Sequence, residues 1–378
     1  MRSLRARAVP FLTIVIAIAL AGCGEAGRTS SDSTTSDIEI SAPVQIAVGS
    51  AGTAWLIDIG GRRYLSQPAT VVSFSTDGTP QSVAPLQPMA LTQSIGIGPS
   101  LVVAGSRCVD RSETTAVCQA QGEVRALTDG RWRSYSFDPV DGDTQQNAVS
   151  IIGEGPEPGT VWLKVGFSES PPNDGRLRAV EFDVNKMQPV TWVEPSPAFG
   201  ALCLVDGRLT DSATSRVTPP VVAGGVVPGV NDPISISYQV VTYDGSAWKP
   251  AANGTWSGDR PRIETMHCTP KGLSTSIPGS DASVLSWSPE SGWSEHAPDP
   301  VIAQSGPVPL GYLVNGQQIA SIAGRAYVEE APGAWKQLPA AADASSVPTV
   351  ALTGGILAAC APTINDIDTQ TCKAERLE

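Results

Sequence analysis

The chain has 378 residues, of which 41% are hydrophobic and 16% are charged, and it contains 37 glycines and 32 prolines. This abundance of turn-forming residues argues against a helix bundle or a coiled coil, while the length allows two domains or one large all-β domain. The formal net charge of −12 argues against binding of nucleic acid or anionic lipid headgroups through a general basic field.

The first 23 residues have the features of an export signal. A basic segment with three arginines precedes an apolar run from Phe11 to Leu20, which is too short to span a bilayer as a helix. The sequence Leu-Ala-Gly-Cys that ends at Cys23 resembles the bacterial lipobox. This resemblance implies that residues 1–22 are a lipoprotein signal peptide and that Cys23 is lipidated, with fatty acyl chains such as palmitate. The alternative is an ordinary signal peptide with a chance cysteine.

The segment that follows predicts a flexible tether. Residues 23–37 are rich in Ser and Thr and have almost no apolar side chains, so they cannot offset the entropy of ordering. Two acyl chains on Cys23 anchor a protein stably where one does not. We therefore expect the chain at the cell membrane, lipid-anchored on the extracytoplasmic face. The excess of Arg over Lys, with abundant Ala, Gly and Pro, resembles proteins of GC-rich actinobacteria.

From residue 38 onward the sequence repeats a short apolar segment, a glycine turn and a second apolar segment. Such segments, rich in Val, Ile, Leu, Trp and Tyr and bounded by turn residues, are typical of β-strands. Seven units occur at an average spacing of about 50 residues, which is a period found in β-propellers. The units are centred on Gly52, Gly98, Gly159, Gly207, Gly272, Gly316 and Gly354.

A second hairpin follows most units and brings the strand count to four per repeat. Asp-Gly dipeptides such as Asp129-Gly130 predict tight hairpin turns, since type I′ turns need positive φ at both central positions. Tryptophans recur after these turns, where we expect packing between neighbouring sheets rather than a carbohydrate groove. These are Trp132, Trp192, Trp248, Trp293 and Trp335.

Four strands per repeat predict an all-β fold, a seven-bladed β-propeller formed by residues 38–378, with six or eight blades as alternatives. The last unit, residues 349–378, is too short for four strands, whereas residues 38–44 form a spare apolar segment. We expect this N-terminal strand to complete and close the last blade, which resembles ring closure in known propellers. The segment from Ser288 to Trp293 resembles a sialidase-type aspartate box, with Glu in place of Asp and one residue fewer before the tryptophan.

Cysteine usage predicts disulfide bonds in an oxidising compartment. The chain has seven cysteines, and lipidation of Cys23 leaves an even number in an exported protein. Six cysteines allow many connectivities, but spacing favours Cys108 with Cys118 and Cys360 with Cys372. Each of these pairs would close a short loop between neighbouring strands.

The two remaining cysteines, Cys203 and Cys268, occupy similar local contexts in successive repeats. A bond between them would link one repeat to the next. A metal or redox site is the alternative, but the chain has no C-x-x-C motif and only two histidines. We therefore predict neither a metal nor a cofactor.

The search for catalytic motifs yields one candidate residue. No nucleotide-binding, zincin or serine-hydrolase signature is present in the sequence. His267 follows Glu264 by three positions and lies in a predicted innermost strand, where it could act as a general base. A structural histidine beside the disulfide cysteine Cys268 explains it equally well. His296 is expected at the surface.

Two functions agree with these features. The first is a non-catalytic binding or scaffolding module for a protein or a cell-envelope glycan partner, attached to the membrane by its lipid and not binding nucleic acid. The second is a secreted polysaccharide hydrolase or lyase with its site at the central channel, which would need converging carboxylates. The sequence favours the first function because it contains no recognisable catalytic motif.

Overall fold

The computed structural model of the chain describes residues 38–40, 44–48, 54–58, 68–74, 80–111, 118–137, 148–166, 177–198, 200, 202–217, 234–258, 266–277, 283–297, 308–312, 318–322, 325–337, 349–353, 356–363 and 366–376. All of these residues belong to the unit Thr34–Glu378. They form strands, turns and irregular segments, and no helix occurs among them. Residues 1–37, with the predicted signal peptide, lipidated Cys23 and tether, lie outside the described residues.

The described strands form seven antiparallel four-stranded sheets, six of which are built from strands that are consecutive in the chain. The chain begins with β1 (Ile38–Ile40). Sheet 1 contains β2 (Val44–Val48), β3 (Ala54–Asp58), β4 (Val71–Phe74) and β5 (Pro80–Ser82). Sheet 2 contains β6 (Ala90–Ile97), β7 (Ser100–Arg111), β8 (Cys118–Thr128) and β9 (Arg131–Ser136). Sheet 3 contains β10 (Ala148–Glu154), β11 (Thr160–Gly166), β12 (Leu177–Asp183) and β13 (Gln188–Trp192).

The remaining sheets follow the same plan. Sheet 4 contains β14 (Cys203–Val205), β15 (Arg208–Val217), β16 (Ile234–Tyr243) and β17 (Trp248–Gly258). Sheet 5 contains β18 (His267–Thr269), β19 (Gly272–Ile277), β20 (Ser283–Ser288) and β21 (Gly292–His296). Sheet 6 contains β22 (Val308–Tyr312), β23 (Gln318–Ile322), β24 (Arg325–Ala331) and β25 (Ala334–Gln337). Sheet 7 contains β26 (Thr349–Thr353), β27 (Ile356–Thr363) and β28 (Asp366–Arg376), with β1 as its fourth strand.

Each apolar unit predicted from the sequence corresponds to the first hairpin of one sheet. Two of the tight turns have the backbone geometry that Asp-Gly dipeptides favour. Asp129 and Gly130 have φ values of 50° and 73°, and Asp206 and Gly207 have φ values of 47° and 72°. Positive φ at both central positions is the property that lets such a turn match the twist of its flanking strands.

The core lies between the faces of consecutive sheets. In β7, Leu101 and Val103 pack with side chains of sheet 1, whereas Val102 and Ala104 pack with side chains of sheet 3. Successive side chains of a strand point to opposite faces, so an uninterrupted apolar run is the expected sequence of a strand buried on both sides. Similar clusters join sheet 3 to sheet 4 and sheet 4 to sheet 5.

The first strands of the sheets form a connected series. Contacts run from β26 to β2 and then through β6, β10 and β14 to β18, which in turn contacts β23 and β24 of sheet 6. The N-terminal strand β1 pairs with β28, with Ile38 opposite Cys372 and Ile40 opposite Gln370. The two ends of the folded chain therefore meet within sheet 7.

Candidate functional site

His267, the candidate base, lies at the start of β18 and is brought next to two polar side chains. Ser274 is its direct cross-strand partner on β19. Glu329 comes from β24 of sheet 6, so the contact joins two sheets. Ser274 is fully buried, Glu329 is 1% exposed and the His267 side chain is 12% exposed. We call these three residues the sheet 5–6 latch.

Hydrogen bonds join the three side chains of the latch to one another and to the neighbouring turn. Ser274 Oγ donates to Glu329 Oε1 over 2.7 Å and lies 2.8 Å from His267 Nε2. The same histidine nitrogen contacts Glu329 Oε2 directly. The backbone N–H of Gly333, in the turn between β24 and β25, also donates to Glu329 Oε1 over 2.6 Å.

This geometry differs from that of an activated nucleophile. In such a site the base binds the nucleophile through one ring nitrogen and a carboxylate through the other. In the latch, Ser274 and Glu329 both contact Nε2 of His267, and the buried Ser274 hydroxyl has no access to solvent. The structure therefore favours the structural interpretation of His267. Glu264, the residue considered with it, lies outside the described residues.

A cleft of about 330 Å³ opens beside the latch, among the hairpin turns of sheets 4, 5 and 6. Four serines of β20, β21 and the turn between them line one wall, and we call the space the serine cleft. These are Ser286, Ser288, Ser291 and Ser294. Lys271, Asp206 and Glu290 supply the charged groups of its lining, and His296 and Pro332 complete it. His296, expected at the surface, is half-buried here.

The latch holds the opposite wall of the serine cleft in position. Glu329 binds the N–H of Gly333, which has a φ of 73° and follows Pro332 in the tight turn. A Cβ at Gly333 would lie 2.3 Å from His296 Nε2, so this turn packs directly against the end of β21. Glycine is required here both for the positive φ and for the close approach.

Two further buried polar groups were not singled out by the sequence patterns. Asp211 on β15 is 2% exposed, and its Oδ1 accepts hydrogen bonds from the N–H groups of Gly200 and Ser212. Burial raises the pKa of Asp211, against the opposing effect of these bonds. Burial also lowers the pKa of Lys164 on β11, which Asp211 partly offsets. The sequence does contain a signal for this group, because Lys164 interrupts the otherwise apolar run Val161–Val165.

The buried ion pair between Arg125 and Glu123 in sheet 2 binds the segment that precedes β6. Nε and Nη2 of Arg125 each lie 3.0 Å from an oxygen of Glu123 on the same strand. The guanidinium also donates to the carbonyl oxygens of Gln87 and Pro88 over 2.7 and 3.2 Å. Because every group has a partner, this pair serves structure.

The recurring tryptophans act mainly as contacts between sheets. Trp132 Nε1 donates to the carbonyl of Ala84 over 2.8 Å, and Trp248 Nε1 donates to the carbonyl of Glu194 over 2.7 Å. In each case the acceptor belongs to the segment that follows the last strand of the preceding sheet. Trp192 is 43% exposed and touches Phe137 edge-on. The expected packing role therefore holds for Trp132 and Trp248 and is partial for Trp192.

The structure contains a disulfide between Cys203 and Cys268, with their Cα atoms 6.3 Å apart. This bond connects the first strands of sheets 4 and 5, as expected for equivalent positions in successive repeats. The side chains of Cys108, Cys118, Cys360 and Cys372 lie outside the described residues. The backbone register places Cys360 directly opposite Cys372, whereas Cys108 faces Ala120 and Cys118 faces Arg111.

The described residues contain neither a metal-binding cluster nor a membrane-spanning helix. No group of three or more His, Cys, Asp or Glu side chains there is arranged to hold a metal ion. Within the same residues, no helix has the length and apolar character needed to cross a membrane.

Comparisons with known proteins identify the class of fold. No family model matches the chain, and no curated protein matches it in sequence. Among solved structures, the polysaccharide lyase Uly1 matches with a TM-score of 0.50 and 12% identity, covering 88% of this chain and 90% of the lyase. The β-propeller domain of the Trilobed protease from Pyrococcus furiosus matches with a TM-score of 0.49 and 8% identity, covering 89% and 95%.

YCF48, solved with a bound D1 peptide, matches with a TM-score of 0.40 and 12% identity, covering 92% of this chain and 98% of that one. At such low identity these similarities concern the fold alone. Together with the four-stranded antiparallel sheets, the similarity to Uly1 defines the chain as a β-propeller protein.

Proposed function

We propose that this chain is a lipid-anchored, extracytoplasmic β-propeller that serves as a binding or scaffolding module for a protein or cell-envelope glycan partner. The observation that carries the proposal is the contrast between the latch and the cleft. The candidate base His267 is held by Ser274 and Glu329, whereas the serine cleft is an open, hydroxyl-lined space. Binding needs a concave surface with a few polar groups that orient the ligand, and catalysis needs an accessible reactive group.

The proposed propeller has seven blades in a closed ring formed by residues 38–378. The seven four-stranded sheets and the pairing of β1 with β28 support this arrangement. Ring closure through a strand from the other end of the chain also covers a strand edge that would otherwise be free to pair with other molecules.

Lipid anchoring at Cys23 is tested with the full chain in a bacterium that processes lipoproteins. Cells are fed an alkyne-labelled palmitate, and label on the chain is compared between the wild type, Cys23→Ala and Ser31→Ala. We expect the label to be lost only in Cys23→Ala, which also stays unprocessed. Label retained in Cys23→Ala would refute the anchor.

The binding role is tested with the full chain solubilised in detergent. We expect saturable co-sedimentation with washed envelope fragments, and no release of new reducing ends or unsaturated sugars from polysaccharides. Absence of saturable binding would refute the binding module. Turnover of a polysaccharide would establish the alternative, an extracellular hydrolase or lyase.

A further inference from the structure

We infer that the serine cleft binds a neutral, hydroxyl-rich saccharide unit. This inference rests on the proposed function, because it names the site and the ligand class of the same binding module.

The first argument is the unusual polarity of one face of sheet 5. On β20, Leu285 and Trp287 pack with the apolar cluster shared with sheet 4. The alternating side chains Ser286 and Ser288 therefore point to the other face, where they line the cleft. Sheets stacked between neighbours normally bury apolar side chains on both faces, and burial of hydroxyls is unfavourable without polar partners. Ser286 is buried and bonds to Ser294, whereas Ser288 is half-buried and Ser291 and Ser294 are exposed. This face therefore presents hydroxyls that a polar ligand can reach.

The second argument is the hydrogen-bonding capacity of this wall. Ser286 Oγ and Ser294 Oγ lie 2.8 Å apart, directly across the strand pair, and Ser288 Oγ and Ser291 Oγ lie 2.6 Å apart. Ser286 Oγ also donates to the Ser294 carbonyl over 3.4 Å, and Ser288 Oγ accepts from the Ser291 N–H over 3.1 Å. The wall therefore offers a ligand one O–H donor, from the Ser288–Ser291 pair, and acceptor lone pairs from both pairs. Sugar hydroxyls are likewise donors and acceptors at once, so the two sets are complementary.

Charge and size restrict the ligand further. Among the described residues that line the cleft, the lysine Lys271 is outnumbered by the carboxylates of Asp206 and Glu290. This balance opposes an anionic ligand such as a phosphate or a polyuronate. The volume of about 330 Å³ is at the lower end for small-ligand sites. A folded protein partner would instead need a broad contact surface.

The opposite wall supplies an apolar surface. Pro332 follows Ala331 in the β24–β25 turn, and both line the cleft. A Cβ at Gly272 would lie 3.0 Å from Pro332 Cγ, so the proline packs firmly against sheet 5. One wall with hydroxyls and one wall with apolar carbons match a sugar ring, which has hydroxyls at its rim and C–H groups on its face.

The test uses the solubilised full chain and isothermal titration calorimetry with cellobiose, maltose and the disaccharide of N-acetylglucosamine. A glucuronate disaccharide and trialanine are the charged and peptide probes. We expect at least one neutral disaccharide to bind with a Kd near ~1 mM or below. Ser294→Ala should weaken this binding about tenfold, as expected for loss of one hydrogen bond, and Ser294→Gln should abolish it by filling the cleft. Ser134→Ala, an exposed serine on β9, is the matched control and should bind as the wild type does.

Absence of binding by all three neutral disaccharides, or binding that the Ser294 variants leave unchanged, would overturn the inference. Binding of trialanine that is sensitive to Ser294, without saccharide binding, would assign the cleft to peptides and also overturn it. The proposed function is tested separately. It is refuted if envelope fragments do not co-sediment with the chain while the disaccharide still binds. It stands without this site if co-sedimentation persists while no disaccharide binds.

Discussion

Replacement of Glu329 by alanine is expected to lower the free energy of unfolding by about 3–5 kcal/mol, the cost of breaking a buried charged hydrogen-bond cluster. Three groups lose their acceptor at once: the Ser274 hydroxyl, the His267 imidazole and the Gly333 N–H. Each buried polar group left without a partner costs about 1–3 kcal/mol. Glu329→Gln keeps the shape and one acceptor oxygen, so its loss should be intermediate.

The adjacent Glu330 provides the matched control. It lies on the same strand with an exposed side chain, and among the described residues its ion pair is with Lys336 at 3.3 Å. Such exposed pairs contribute about 0–1 kcal/mol, so Glu330→Ala should change stability little. The measurement is equilibrium urea unfolding followed by tryptophan fluorescence. If Glu329→Ala and Glu330→Ala differ by less than about 0.5 kcal/mol, the structural role assigned to the latch is wrong.

The remaining predictions concern links between sheets and one turn. The double variant Cys203→Ala, Cys268→Ala should lose about 4 kcal/mol of unfolding free energy, measured with urea, because the bond closes a separation of 65 positions in the unfolded chain. A loss under about 1 kcal/mol would contradict this. Trp248→Phe removes an indole donor and should cost about 1 kcal/mol, and an unchanged urea midpoint would count against the contact. The Ala247 N–H and the donors of Ser246 lower the pKa of Asp244 to about 2. The stability that Asp244 contributes is present above its unfolded pKa and is lost as the pH falls towards 2. A plot of melting temperature against pH should therefore be flatter on its acid side for Asp244→Ala than for the wild type. Parallel plots for the two proteins would refute this.

The hairpins were predictable because their signals are local. The run Leu101–Ala104 is apolar at every position, as a strand covered on both faces requires, and the turn at Asp129-Gly130 has the positive φ values that its residues favour. The equivalent contexts of Cys203 and Cys268 also indicated their bond, since repeats place like positions side by side. Most of the strands and turns were therefore predictable from the periodicity of apolar residues and from the turn residues.

The latch was not predictable because its members are distant in sequence and ordinary in context. Glu329 lies 62 positions after His267 and has Glu330 as its neighbour, a pattern typical of an exposed strand. Only the stacking of sheet 6 on sheet 5 buries one of these carboxylates and leaves the other at the surface. Local pattern gives the alternation of faces, but the neighbour that each face meets is a property of the whole fold.

The same distinction explains the serine cleft and its dependence on the latch. In β20, Ser286 and Ser288 alternate with Leu285 and Trp287, which places hydroxyls on one face and apolar side chains on the other. A strand with one solvated side would show the same alternation. The Pro332–Gly333 turn packs beside the polar face and forms a second wall, so the hydroxyls line a cleft rather than a flat sheet surface. Glu329 binds that turn through the Gly333 N–H, so the buried latch supports one wall of the cleft. His267, which the sequence offered as a catalytic base, thus belongs to the framework that supports the neighbouring cleft.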